Sequence, residues 1–297
     1  MNARINALLA AGSLALLLAA APLTAQIELG VAGGASMYEG DLAPSSVLDK
    51  LTSARRSVGV YARGPISERV ALRGFVQSSR IHGDDALRPG TVARNLSFRS
   101  DIFEIGLAAE VYVLGYDHAV APYVSVGASV YRFNPEAEFN GRLVELQPLG
   151  TEGQGIPGFG EKYALTRFAI PVGVGARYPL GESFVLGVDV SSRLTWFDHL
   201  DDVSGNYVNY ETLLRGEGVD GSRGNGSLAA ALADRTGEYL GTDPRDVPTG
   251  TLRGDPTNND WFYTATVTIG YRIGSGLFGV GGGRSAGSNR YNRCYEW

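Results

Sequence analysis

The feature that most constrains this chain is an apolar period of two, sustained over segments too long for ordinary globular strands. Over residues 260–273, Tyr263, Ala265, Val267, Ile269, Tyr271 and Ile273 alternate with Thr264, Thr266, Thr268, Gly270 and Arg272. Such alternation gives a β-strand one apolar and one polar face. The pattern recurs at 103–113, 120–133, 168–178 and 184–196, and in shorter form at 27–32, 58–63 and 70–79. That makes eight predicted strands. The abundance of Gly (41) and Tyr (15) agrees with β-structure and many turns.

A soluble sandwich alternates in the same way, so three further features decide. Several segments exceed ten residues; globular strands average ~5–6, whereas a tilted membrane-spanning strand needs ~9–11. The polar faces carry small residues and charges of both signs, not the Lys and Glu of a wetted surface. Glu28, Glu104, Glu110 and Asp189 stand against Arg63, Arg73, Arg167, Arg177, Arg193 and Arg272. These ten are the candidate interior charge network of an eight-stranded barrel, whose lumen side chains can fill. Finally, short links near 64–68, 115–118 and 179–183 alternate with long ones near 34–56, 81–96, 134–162 and 198–259. Short turns on one side and long loops on the other describe an outer-membrane barrel. The expected fold is all-β: an eight-stranded antiparallel transmembrane β-barrel over 26–273, with short periplasmic turns and long extracellular loops. Trp196, Phe197, Trp261, Tyr263, Tyr178 and Tyr271 are expected at the lipid interfaces, and 226–240 is expected to hold a short helix capped by Ser227.

Residues 1–25 read as a cleaved signal peptide: Arg4, an apolar stretch over 8–21, then Ala25 before Gln26. No later stretch reaches 18 consecutive apolar residues, so no transmembrane helix is expected and the exported chain is either soluble in the envelope or a barrel, a choice the strand pattern makes. Residues 274–297, rich in Gly, Ser, Arg and Asn, are expected to form a flexible periplasmic tail. A net charge of −5 argues against a nucleic-acid partner, and the single cysteine, Cys294, excludes an internal disulfide framework or a Cys-cluster zinc site.

Catalytic chemistry finds little footing. His82, His118 and His199 fall in separate loops and turns, and only His199, beside Trp196, approaches what a lipid-acting His/Ser/Glu site would need. Asp198, Asp201 and Asp202 cluster without EF-hand spacing. The Gly-rich run 150–155 lacks the Lys-Ser/Thr of a phosphate loop, and Arg253-Gly254-Asp255 reads as an accidental adhesion motif. No catalytic, cofactor-binding or metal residue is assigned, no cofactor is implied, and no small-molecule substrate is identified.

Several stretches are more specific. They include Tyr38-Glu39-Gly40-Asp41-Leu42, Arg94-Asn95-Leu96-Ser97-Phe98 and Phe133-Asn134-Pro135. Thr151-Glu152-Gly153-Gln154-Gly155, Leu200-Asp201-Asp202-Val203-Ser204 and Arg253-Gly254 follow. In this order they resemble the PorG-like family of outer-membrane β-barrels associated with the type IX secretion system, over residues 27–273, nearly the whole mature chain. The family's Thr-Asp-Tyr gives way here to Trp196-Phe197-Asp198-His199. The resemblance implies a non-enzymatic barrel that ties periplasmic secretion-ring proteins, including a lipoprotein, to outer-membrane lipid. Two other functions stay open at this point: outer loops that bind a surface ligand or adhere, and a barrel-wall enzyme that modifies lipid.

Overall fold

The computed structural model describes residues 27–216 and 223–273. The expected signal peptide, the 274–297 tail and Cys294 lie outside these residues.

Eight long strands form the wall: β1 (Ile27–Glu39), β2 (Arg55–Pro65), β3 (Val70–Asp84), β4 (Ser97–Tyr112), β5 (Ala121–Arg132), β8 (Thr166–Leu180), β9 (Phe184–Leu194) and β10 (Trp261–Ile273). Between β5 and β8 lies a small hairpin, β6 (Pro135–Phe139) and β7 (Arg142–Glu145). Each wall strand pairs antiparallel with its neighbours in sequence, and β1 with β10 closes the ring from Ile27↔Ile273 to Glu39↔Trp261. Closure pairs each wall strand on both sides and leaves the wall without an edge, as a lipid environment requires. One ladder is interrupted. Between β5 and β8 the pairing passes from Val126↔Val172 to Ser129↔Ala169, because Pro171 has no N–H to donate.

The register sends one face of each strand outward. Val58, Val60, Val124, Val126, Val172, Val174, Val188, Val190, Val267 and Ile269 are all exposed, most by about half. Their alternating neighbours, including Thr264, Thr266, Thr268, Ser125, Ser129 and Ser191, are buried in the lumen. A continuous aliphatic belt outside a polar interior inverts the order of a soluble protein and matches a wall bathed in hydrocarbon.

The strands reach further outward than the hydrophobic alternation indicates. β1 runs to Glu39 rather than Ala32, β3 to Asp84 rather than Ser79, and β4 begins at Ser97 rather than Phe103. Gly33, Gly34, Ala35 and Ser36 erase the amphipathic signal, yet their pairing to β10 continues unbroken. The outer loops are correspondingly shorter, 40–54 and 85–96. Phe197, expected at the lipid interface, instead turns inward and is buried, whereas Trp196 is exposed.

Above the wall the outer segments fold into a cap. It holds short helices α1 (Val47–Thr52), α2 (Tyr210–Arg215), α3 (Ser227–Ala233) and α4 (Thr236–Leu240). The expected helix over 226–240 is therefore two helices. Gly226, not Ser227, occupies the cap position of α3, and the Asp234 side chain accepts the Thr236 N–H at 2.9 Å where α4 begins. Tyr131, Phe133, Tyr163, Phe197 and Phe262 form an aromatic floor between cap and lumen, with Tyr131 and Phe262 5.5 Å apart and Phe133 and Phe197 5.4 Å apart. A separate small core of Ile156, Val208, Leu213, Ala230 and Ala233 holds the helices of the last loop together.

Candidate functional site

Two clusters of polar side chains organise the molecule, one in the lumen and one in the cap. In the lumen, Arg63 lies 2.7 Å from both Glu28 and Glu110. Arg73 bridges Glu110 at 3.1 Å and Asp189 at 3.2 Å. Arg177 reaches Glu28 at 2.5 Å, and Arg193 reaches Glu104 at 3.0 Å. Four carboxylates therefore face four guanidinium groups, all eight buried. Tyrosines take up the remaining acceptor sites: Tyr61 donates to Glu28 at 2.8 Å, Tyr112 to Glu110 at 2.5 Å and Tyr123 to Asp189 at 2.8 Å. Gln77 and Thr264 complete the shell of Arg193. Sequence reading places these tyrosines and Gln77 in the lumen phase of their strands without identifying them as partners.

Two of the ten expected network residues stand apart. Arg167 sits at the outer mouth, where its guanidinium lies 4.1 Å from the centre of the Phe197 ring and its Nε donates to the Ala164 carbonyl at 3.2 Å. Arg272 is opposite Glu28 in register but forms no ion pair among the described residues. Glu28 is already filled by Arg63, Arg177 and Tyr61.

The packed lumen leaves a cavity of about 30 Å³ beside Arg73, Gln77, Asp189 and Arg193. That is room for two or three waters, at roughly 10–15 Å³ of such volume each. The turn end is closed by Tyr112, Tyr116 and Tyr123, with Arg177 stacked 3.9 Å from the Tyr116 ring centre.

In the cap, Glu152 is the hub. It accepts the Ser204 N–H at 3.0 Å, the Gly205 N–H at 3.1 Å and Arg253 Nη1 at 3.0 Å, with His199 Nε2 at 3.5 Å. Asp202, at φ +66°, accepts Thr151 Oγ1 and the Tyr163 hydroxyl, each at 2.6 Å. Gln154 receives the Glu152 N–H at 3.0 Å. Gly153 and Gly155 supply the left-handed backbone of the turn, and a side chain on Gly153 would meet Phe159 and Val208. Phe133 packs into the aromatic floor, Pro135 opens β6, and the Asn134 N–H bonds Ser100 Oγ at 3.0 Å. Arg94 links Asp85, at 2.7 Å, to the Arg253 carbonyl. Stretches scattered over the sequence thus meet at one place, and their side chains are used to fold the cap.

Burial and charge set the protonation of this region. Burial pushes Glu152 up, but the His199 hydrogen bond, the Arg253 charge and the Ser204 N–H outweigh it and hold the carboxyl at about 2. Burial also raises Asp198 and Asp201, and here it prevails, taking each to about 7 with neighbouring carboxylates adding to the effect. Tyr38 contacts both Asp201, at 2.6 Å, and Asp260, at 2.8 Å. A hydroxyl has a single proton to donate, so one carboxyl of this pair retains its own. Asp260 is accordingly raised by burial and by Asp201.

His199 is committed to Glu152 and packs between Tyr163 and Phe197, with ring centres 4.9 and 5.6 Å away. Arg253 is buried, so the Arg-Gly-Asp run is not displayed as an adhesive loop. Among the described residues no group of acidic, His or Cys side chains is arranged to hold a metal ion, and no helix is long and apolar enough to cross a membrane.

A closed, lipid-belted, eight-stranded barrel with its lumen filled defines the class: a small outer-membrane β-barrel. No family model and no curated protein matches the sequence. Among solved structures the chain is similar to Ail, the attachment invasion locus protein of Yersinia pestis, at 10% identity over 84% of this chain and 99% of that one, with a TM-score of 0.40. It is also similar to Neisserial surface protein A (9% identity, 83% and 97% coverage, TM-score 0.40). A third is OprG from Pseudomonas aeruginosa (11% identity, 84% and 98% coverage, TM-score 0.39).

Proposed function

We propose that the protein is a non-enzymatic anchoring barrel of the outer membrane, working through its two end surfaces rather than through its lumen. The observation that carries this reading is the interior filled by four carboxylates and four arginines, all buried, around a cavity of about 30 Å³. The finer assignment, a component of a type IX secretion assembly that holds periplasmic ring proteins and a lipoprotein, draws on the resemblance to PorG-like barrels. It is supported by the way the resembling segments around Glu152, Asp202 and Arg253 build one cap. In this reading the periplasmic contact surface consists of the turns at 66–69, 113–120 and 181–183 and the 274–297 segment.

Affinity capture of the full chain from solubilised outer membranes tests the assignment. Ring components are expected to co-purify and to be lost when 274–297 is deleted. Recovery of a solitary barrel would contradict it. A second reading, a barrel that binds a surface ligand through its outer loops, is favoured by the open groove of about 370 Å³ bordered by Glu152, His199, Tyr207 and Phe159. Under that reading the deletion is harmless and the loss of the last outer loop is not.

A further inference from the structure

The outward faces of the strands are aliphatic through the belt but not uniform at its outer rim. On β2–β5, arginines stand there: Arg56, Arg80, Arg99 and Arg132. Arg80 and Asp101 are cross-strand partners, bonded at 2.6 and 2.7 Å, and Arg99 is held by Glu136 at 3.1 Å. Arg56 and Arg132 are exposed and make no side-chain ion pair among the described residues. Two of the four guanidinium groups, Arg80 and Arg99, are thus taken by carboxylates, and the two at the ends of the arc, Arg56 and Arg132, are not. At the same height β9 and β10 carry Trp196, Trp261 and Tyr263, and β1 ends in Glu39, paired with Lys50. The outward-facing arginines of the wall strands are thus confined to one side of the rim.

Directly below them, towards the membrane centre, lie exposed apolar side chains on the same strand faces. Val58 and Val60 lie below Arg56, and Val130 and Val126 below Arg132, with Phe103 between them on β4. Arg56 and Arg132 are separated by three strand spacings, roughly 14 Å at 4.7–4.9 Å each. A paired guanidinium row above a hydrocarbon-facing surface fits a ligand with phosphates at one end and acyl chains at the other. Arginine is the side chain best suited to phosphate, which it binds through two parallel N–H donors.

We propose that this arc is a binding site for a phosphorylated glycolipid of the outer leaflet. Its phosphates would sit on Arg56 and Arg132, beside the Arg80–Asp101 pair, and its acyl chains on the aliphatic rows beneath. The proposal rests on the reading of the wall as lipid-facing.

The test uses the full chain in detergent and native mass spectrometry, with bisphosphorylated lipid A as probe and its dephosphorylated form as control. The phosphorylated lipid is expected to remain bound while the control is lost. The double variant R56Q/R132Q removes two exposed side chains and should still migrate as a folded barrel. Its affinity for the phosphorylated lipid is expected to fall about tenfold or more, the scale of losing charge-assisted hydrogen bonds. Equal retention of both lipids, or an unchanged affinity in the variant, would overturn the proposal while leaving the lipid-facing wall intact. Displacement of the lipid by an equimolar amount of inorganic phosphate would also overturn it, since the site would then read free phosphate. Failure of both lipids to bind would overturn the proposal and count against the lipid-facing wall as well.

Discussion

At the scale of single residues, the lumen network makes the sharpest claim. Glu110 serves both Arg63 and Arg73, and all three are buried. Glu110→Leu is expected to destabilise the barrel by about 3–5 kcal/mol, because it strands buried guanidinium charge. Glu136→Gln, which releases the more exposed Arg99, should cost under about 1 kcal/mol. Urea unfolding of the two variants in detergent measures the difference. The cap makes a claim about pH. Asp198 and Asp201 titrate near 7 when folded, above the ordinary Asp value of ~3.9, so the native cap binds more protons than the unfolded chain. Their contribution therefore weakens as pH rises from about 4 to 7. Glu152, held at about 2, acts in the opposite direction, and its contribution is lost only as pH falls below about 4. Hydrogen exchange of residues 198–204, corrected for intrinsic rate, should be slower at pH 5 than at pH 8. Equal protection would mean that these carboxyls are solvated.

At the scale of elements, the last outer loop should be separable from the wall. Tyr207 and Thr251 are already joined by a 2.7 Å backbone bond, and Asn206 bridges Leu252, so the loop closes on itself. Its helices pack mainly on one another around a small core, which Ile156 of the preceding outer loop also enters. Replacing 208–250 by a short turn is expected to leave the heat-modifiable gel shift of the barrel intact; loss of that shift would show that the loop is needed to fold the wall. The same elements mark what could be read from sequence. The eight strands were legible because lipid demands a uniform aliphatic face, which writes period two into the chain. Their outer ends were not, since Gly33 to Ser36 pair without showing any polarity difference between faces. The β6–β7 hairpin carried a usable signal, Asn140-Gly141, both at positive φ, between two alternating runs. In the lumen, charge was legible because each group sat in the polar phase of a strand. Tyr38 with Asp260, 222 residues apart, and Glu152 with Arg253, 101 apart, join segments whose meeting depends on how the loops fold over the mouth.

At the scale of the whole molecule, a lumen filled by paired charges beneath an aromatic floor predicts a barrel that does not conduct. Reconstituted into planar bilayers, it should give no stable current steps, and regular steps would require that the Arg63–Glu110 network open. The central claim is the direction of the side chains. Single cysteines at Val124, Ser125, Val188 and Thr266, in a Cys294→Ser background and spin-labelled in lipid vesicles, test it most directly. The account predicts strong relaxation by oxygen at Val124 and Val188, and protection from both oxygen and a water-soluble nickel reagent at Ser125 and Thr266. Nickel accessibility at Val124 and Val188 would place the aliphatic face in water and contradict the membrane-spanning barrel.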